Sequence, residues 1–365
     1  MRLLVAGGGT GGHVFPGVAV IEALEERVKT DVMWIGTGRP VEMSVVRPRG
    51  WQYKILDVKP LKGASFARTA LSLLSQPYFV FKSACLLKSF KPDVVLGVGG
   101  YVSGPVIMAA RLLGIKAALH EQNMVPGLSN RLASRFADKI FVSFEESRRF
   151  LPDEKVVITG NPVRRPFVEY ARTLGHHKEF HGRDIGHHDR PFSLLILGGS
   201  QGATSLNRLV SSAVCLLAKS GVRLDVVHQT GKNDMERIQG VYKESGVNAE
   251  IRAFVEDVLS EYVRADLVIC RAGAGTVFEL TATASPAILI PYPYAGGHQE
   301  ANARALSDNG AAVLCKEDEI GAVRLATEIQ GLMEDRARLV SMSQKSFELG
   351  RPDAARVIAG LLMEM

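Results

Sequence analysis

The chain has 365 residues, 46% hydrophobic and 22% charged, a globular balance that excludes a disordered chain and leaves room for two domains. Its formal net charge of +6 favours anionic partners such as phosphates or an acidic membrane surface. Four widely spaced cysteines (Cys85, Cys215, Cys270, Cys315) with no C-x-x-C pair exclude a disulfide framework or zinc ribbon, and no run approaches the roughly 18 apolar residues of a membrane span.

Met1 to Ala6 is too short for a signal-peptide core, so reduced cytoplasmic thiols and peripheral membrane contact are expected. Leu3 to Ala6 reads as a short buried strand that runs into Gly7-Gly8-Gly9-Thr10-Gly11-Gly12. Val14, Val18, Ile21, Leu24 and Val28 then recur at helical spacing, and Pro16 suits the first turn of that helix. Strand, glycine loop and helix together make an anion site, because unpaired N–H groups and the positive end of the helix dipole converge there. His13 closes the loop, and three roles are open to it: general base, phosphate contact or core hydrogen bond. Gly7-x-Gly9-x-x-Gly12 also matches a dinucleotide fingerprint, but the second strand, Val32 to Ile35, ends in Gly36-Thr37-Gly38-Arg39 without the acid that holds a ribose. Arg39 keeps an NADP-dependent oxidoreductase as one alternative.

Phe66 to Lys91 is rich in aromatic and aliphatic residues with Arg68, Lys82, Lys88 and Lys91 interspersed. It reads either as a face resting on an anionic bilayer or as a pair of core helices around Pro77. Asp93 to Leu96 then leads into Gly97-Val98-Gly99-Gly100, and a further strand, Lys116 to Leu119, ends in His120-Glu121-Gln122-Asn123. Arg164, in Gly160-Asn161-Pro162-Val163-Arg164, is suited to pair with a diphosphate. Phe167 to Pro191 lacks apolar periodicity and reads as a linker; its His176, His177, His181, His187 and His188 have no regular ligand spacing.

The first phrases then return. Leu194 to Leu197 precedes Gly198-Gly199-Ser200-Gln201-Gly202 and a helical face of Leu206, Leu209, Val210, Ala213 and Leu217. Asp266 to Ile269 precedes Cys270-Arg271-Ala272-Gly273-Ala274-Gly275, and Ala287 to Ile290 reads as the next strand. Thr276 and Glu279 fit a helix-capping box, and Glu279 equally fits a carboxylate accepting from two ribose hydroxyls. Gly297-His298-Gln299-Glu300-Ala301-Asn302 offers polar groups to sugar hydroxyls at a helix start. Strands alternating with helices in two sets imply two doubly wound parallel-sheet domains with ligands beyond the carboxyl ends of the strands, in a cleft between the domains. No Asp-x-Asp occurs, which disfavours a metal-bound sugar nucleotide of that type.

Several of these motifs, in this order, resemble the MurG family of N-acetylglucosaminyltransferases: Gly8-Gly9-Thr10-Gly11-Gly12-His13-Val14-Phe15-Pro16-Gly17, Lys91 to Pro105, His120 to Asn123, Gly160 to Arg164 and Gly198 to Gly202. The likeness runs from the first residues to Pro352-Asp353-Ala354-Ala355. The resemblance implies an α/β GT-B fold, two Rossmann-like doubly wound domains facing across a cleft. Residues 1–166, rejoined by a final helix at about 348–365, would form the acceptor and membrane-associating domain; 167–191 would link it to a donor domain at 192–347. It implies an inverting transfer of N-acetylglucosamine from UDP-N-acetylglucosamine to the muramyl 4-hydroxyl of lipid I (undecaprenyl-pyrophosphoryl-MurNAc-pentapeptide). The work would be done at the cytoplasmic face of the membrane, with no cofactor and no nucleic acid. By motif match Thr10, Gly11 and Gly12 would face the donor and diphosphate, Asn123, Arg164 and Ser200 would contact the donor, and Val255 would lie against uracil. Ala274, Gly275 and Thr276 would stand nearby, Glu279 would hold the ribose and Gln299 the sugar, with His13 as candidate base. Gly275 stands where the family often has a bulky residue, and the histidine-rich linker is unusual for it.

Overall fold

The computed structural model describes residues 1–58, 76–175, 180–185, 190–199, 202–294 and 296–365. It divides into two compact units, Met1–Arg164 with Pro352–Met365, and Arg165–Arg351.

In the first unit the described strands are β1 (Arg2–Ala6), β2 (Asp31–Gly36), β3 (Gln52–Ile55), β4 (Val94–Gly97), β5 (Lys116–Glu121), β6 (Lys139–Val142) and β7 (Val156–Ile158). They form one parallel sheet in the order β3-β2-β1-β4-β5-β6-β7. A central parallel strand is covered on both faces, which is why β1 is an unbroken apolar run rather than an alternation. Leu4 and Ala6 face one core with Leu87, Ile107 and Leu119; Leu3 and Val5 face another with Ile21, Leu24 and Trp34. The chain returns at its end to complete that second core: Ala355, Ile358, Ala359 and Leu362 of the helix Ala354–Met363 pack there beside helix α1 (Gly11–Glu25).

The second unit repeats the plan with β8 (Phe192–Leu197), β9 (Leu224–Gln229), β10 (Ala249–Arg252), β11 (Leu267–Cys270), β12 (Ala287–Leu289) and β13 (Ala312–Leu314), ordered β10-β9-β8-β11-β12-β13 and parallel throughout. In both sheets the strand order reverses beside the first strand, between β1 and β4 and between β8 and β11. The crevice at such a switch point is where a doubly wound sheet binds ligands. The four glycine phrases of the sequence follow these four strands.

Two local expectations are corrected. Helix α1 begins at Gly11, within the glycine loop, so Pro16 lies inside it and not in its first turn. The missing N–H of Pro16 removes the bond that would return to the Gly12 carbonyl. The segment read as a featureless linker carries the helix Arg165–Gly175, whose Phe167 is buried edge-on to Tyr262 at 5.7 Å between ring centroids. Its buried apolar stripe is only Phe167 and Ala171, too little to register as periodicity. Further on, Arg183 donates to the carbonyls of Tyr262 and Ala265 and to Ser285 Oγ, each at 3.0 Å, and also to the Val263 carbonyl, tying this stretch into the second unit. Of the linker histidines only His181 falls among the described residues.

Of the segment Phe66 to Lys91 only 76 onward is described, so the reading of a helix before Pro77 lies outside the described residues. The described part forms the helix Gln76–Phe90, which has a buried side and an exposed side. Ser83, Leu87 and Phe90 are buried, whereas Tyr78 and Phe81 are exposed, Phe81 at 68%, among exposed Lys82 and Lys88.

Candidate functional site

In the first unit the loop after β1 and the loop after β4 are packed against each other by glycines. A Cβ on Gly7 would stand 2.2 Å from Val98 Cγ2, and one on Gly100 would stand 2.6 Å from the Gly8 carbonyl oxygen. The buried Ser103 hydroxyl pins both loops, accepting from Gly99 N–H at 3.0 Å and donating to the Ala6 carbonyl at 2.7 Å. By contrast, Gly9 (φ +101°) has nothing within 4 Å of a would-be Cβ, and Gly12 has only Thr10 Oγ1 at 3.7 Å. These are the positions that leave space for a ligand. Thr10 is the exposed N-cap of α1 and makes no side-chain cap bond. The amides of Gly11 and Gly12 lie in the first turn, where a helix supplies no acceptor of its own.

His13 sits over the second loop. Its Nδ1 lies 3.1 Å from the Gly8 carbonyl oxygen. A carbonyl only accepts, so Nδ1 carries the proton and Nε2 keeps its lone pair. Burial holds the ring below the ordinary imidazole range; the Gly8 bond and the charge of Glu42 oppose that shift without cancelling it. The result is a neutral imidazole of fixed tautomer, able to accept a proton.

The His120-Glu121-Gln122-Asn123 run ends β5 in the same unit. Gln122 Nε2 donates to the Val98 carbonyl at 2.8 Å and to His120 Nδ1 at 3.0 Å, and His120 Nε2 faces the Gly160 carbonyl at 3.4 Å. Burial pushes His120 down to about 4, so it is neutral. Glu121 is buried and turned inward: it accepts from Asn123 N–H at 2.9 Å, Gly127 N–H at 3.2 Å and Asn130 Nδ2 at 2.8 Å, while burial raises its carboxyl above the usual range. It shapes the turn that carries Asn123. Arg164 ends the unit with its guanidinium 5.4 Å from the ring of Phe15, which follows His13 on α1. Thr10, Gly11, Gly12, His13, Asn123 and Arg164 therefore all belong to the first unit.

The remaining predicted residues belong to the second unit. Ser200, with Gln201, lies outside the described residues. Val255 is buried, and its N–H donates to Gln229 Oε1 at 2.9 Å, while Gln229 Nε2 donates to the Gly199 carbonyl at 2.9 Å. One glutamine thus ties the glycine loop to the loop at Val255. Ala274, Gly275 and Thr276 form the first turn of the helix Ala274–Ala282, with Glu279 half-buried on the next turn. The N-cap is Gly273 without a side-chain cap bond, so the capping-box reading of Thr276 and Glu279 is not realised. No atom lies within 4 Å of a would-be Cβ on Gly275. Gln299 opens the helix His298–Ser307, its Oε1 accepting from Tyr292 N–H at 2.9 Å.

Three organising residues escape sequence reasoning, Gln229, Arg271 and Glu42, and Asn302, read from the sequence as a polar group for sugar hydroxyls, has a structural bond. Buried Arg271 donates to the Ile290 and Pro291 carbonyls (3.0 and 3.2 Å) and to Ser205 Oγ (3.1 Å), and pairs with Glu317. Asn302 Nδ2 donates to the Ala272 carbonyl at 3.1 Å. A polar residue at the end of an apolar strand, as at Gln229 and Arg271, is the signal that could have found two of them. Among the described residues no group of three His, Cys, Asp or Glu is placed to hold a metal ion.

Residues 3–142 match the glycosyltransferase family 28 N-terminal domain, and residues 193–358 match the glycosyltransferase family 28 C-terminal domain. The chain belongs to glycosyltransferase family 28. Within that family it is 42% identical to the UDP-N-acetylglucosamine--N-acetylmuramyl-(pentapeptide) pyrophosphoryl-undecaprenol N-acetylglucosamine transferase of Myxococcus xanthus, across 100% of this chain and 93% of the relative. The transferase of the same name from Geobacter metallireducens is also 42% identical, over 100% of this chain and 98% of its own. Among solved structures, Acinetobacter baumannii MurG superposes with a TM-score of 0.78 at 31% identity, both chains covered completely. The UDP-GlcNAc 2-epimerase of Neisseria meningitidis superposes at 0.70 with 16% identity, a likeness of fold alone, again over 100% of both chains. The family-28 chain is thus a glycosyltransferase of GT-B fold and not a dinucleotide oxidoreductase.

Proposed function

We infer that this chain transfers N-acetylglucosamine from UDP-N-acetylglucosamine to the muramyl 4-hydroxyl of lipid I, giving lipid II for peptidoglycan synthesis. The observation that carries this reading is the full-length likeness to transferases of that name, on a chain whose ligand loops stand at the switch points of two nucleotide-type sheets. The 4-hydroxyl oxygen attacks the anomeric carbon and its proton passes to His13 Nε2. The bond from that carbon to the β-phosphate oxygen breaks, and UDP leaves with the electron pair. The transition state is oxocarbenium-like, as in other glycosyl chemistry. Helix-start amides at Gly11 and Gly12, with Arg164, stabilise the diphosphate charge. In the second unit Val255 borders the uracil, Ser200 and the turn Ala274–Thr276 flank the nucleotide, Glu279 accepts from the ribose hydroxyls and Gln299 meets the sugar; Asn123 is a further donor contact. UDP release from UDP-N-acetylglucosamine with a short-chain lipid I analogue tests the reading. Release that depends on the analogue, and is lost with UDP-N-acetylgalactosamine, is expected; equal release with either sugar, or none, would sink it.

An acceptor with a polyprenyl tail places the reaction at a membrane surface, on its cytoplasmic face. No helix among the described residues is long and apolar enough to cross a membrane. The outer face of Gln76–Phe90, with exposed Tyr78 and Phe81 beside Lys82 and Lys88, suits an anionic leaflet: rings enter the interface and ammonium groups meet the headgroups. Vesicles containing anionic lipid should carry the wild type upward in flotation and lose Phe81→Asp and Tyr78→Asp. Undiminished flotation of both variants would remove this face from consideration.

A further inference from the structure

Glu42 is an acid that neither motif nor spacing singles out. It lies on helix α2 (Pro40–Val46), and its residue is fully buried. Its carboxylate collects donors from three segments. Gly9 N–H reaches Oε1 at 2.5 Å from the loop after β1. From the loop after β2 come Thr37 N–H at 2.7 Å, Thr37 Oγ1 at 2.5 Å and Gly38 N–H at 3.1 Å, and from β3 comes the Tyr53 hydroxyl at 2.7 Å. Burial alone would raise the carboxyl, but the bonds from Thr37, Tyr53 and Gly9 hold it below its ordinary range, so it is ionised. The surrounding glycines are shaped to it: a Cβ on Gly8 would stand 2.3 Å from Oε1, and one on Gly36 would stand 2.4 Å from Oε2.

The crest of the first loop has little other support. Gly9 has open space on its side-chain side, and the next residues are Thr10 and the first turn of α1 with Gly11, Gly12 and His13. Apart from this carboxylate, Gly9 is held by the exposed Arg39, whose Nη1 donates to its carbonyl at 3.2 Å. We propose that Glu42 is a positioning residue for transfer: it fixes the glycine loop and His13 against the acceptor. This rests on the acceptor and His13 roles given under the proposed function.

The glutamine variant is informative because its NH₂ group would face N–H and O–H donors in a site built for an acceptor at both oxygens. For Glu42→Gln we expect kcat/KM toward a lipid I analogue to fall by about tenfold or more, KM for UDP-N-acetylglucosamine to stay within about twofold, and amide exchange at Gly9–Val14 to quicken. Tyr53→Phe removes one donor, keeps the charge, and should give a smaller loss of the same kind. It also keeps the test open should the glutamine variant fail to fold. Acceptor kinetics unchanged in both variants, or both substrates affected equally, would overturn the proposal, even with faster exchange. If the wild type itself transfers nothing to the analogue, the functional reading fails and takes this one with it; wild-type transfer that the variants leave intact refutes Glu42 alone.

Discussion

His13→Ala lowers kcat with UDP-N-acetylglucosamine and a lipid I analogue by about 10²–10⁴-fold, the usual cost of losing a general base. The expectation follows from the tautomer: the Gly8 carbonyl holds the proton on Nδ1 and leaves Nε2 as the basic nitrogen. The protein should remain folded, because the His13 ring bonds to a loop carbonyl and belongs to neither apolar core of its unit. The pH profile carries an independent sign. Desolvation keeps the His13 pKa below that of a free imidazole, so the active neutral form persists to lower pH. Activity should fall on the acid side only as pH drops through that lowered value, below about 6.5, and the alanine variant should lose this limb. Near-normal turnover of a folded His13→Ala, or an unchanged acid limb, would remove the base role.

Glu279→Ala should weaken UDP-N-acetylglucosamine binding by about 10- to 100-fold, the scale of about 1.5–3 kcal/mol for hydrogen bonds to a charged group. Glu279 projects from the second turn of Ala274–Ala282, half-buried, on the helix that opens with the uncrowded Gly275. Under the proposed function a carboxylate there would accept from both ribose hydroxyls at once, and alanine would leave both unpaired. Titration calorimetry with the donor reads the effect directly. Affinity within about twofold of wild type would place the ribose elsewhere, and the KM for the acceptor should not change.

The fold is legible in the sequence wherever the backbone advertises itself locally. Leu3-Leu4-Val5-Ala6 ending in glycines announces a strand buried on both faces with a tight turn after it, and the same phrase at Leu194 announces a second copy. Both runs form central strands, and the glycine phrases after them stand at the two switch points. The residues that hold those loops in place are harder to see. Glu42 stands between Val41 and Met43 with no motif around it; it matters because Gly9, Thr37, Gly38 and Tyr53 converge on it through folding. Gln229, Arg271 and Asn302 likewise act on carbonyls and amides of distant loops. Thr276 and Glu279 match a capping box by spacing alone, yet the helix starts at Ala274 because Gly273 already supplies the extended N-cap. Pro16 misleads in the same way, since proline marks a first turn only where the helix begins just before it.

The central claim is a single displacement joining the sugar of an α-linked donor to the muramyl 4-hydroxyl. The linkage in the purified product of UDP-N-acetylglucosamine and a lipid I analogue, determined by NMR, tests it most directly. Inversion predicts a β-linked N-acetylglucosamine at carbon 4 of the muramyl residue with one UDP released per product. An α-linkage, attachment at another hydroxyl, or free N-acetylglucosamine in place of the disaccharide would contradict it.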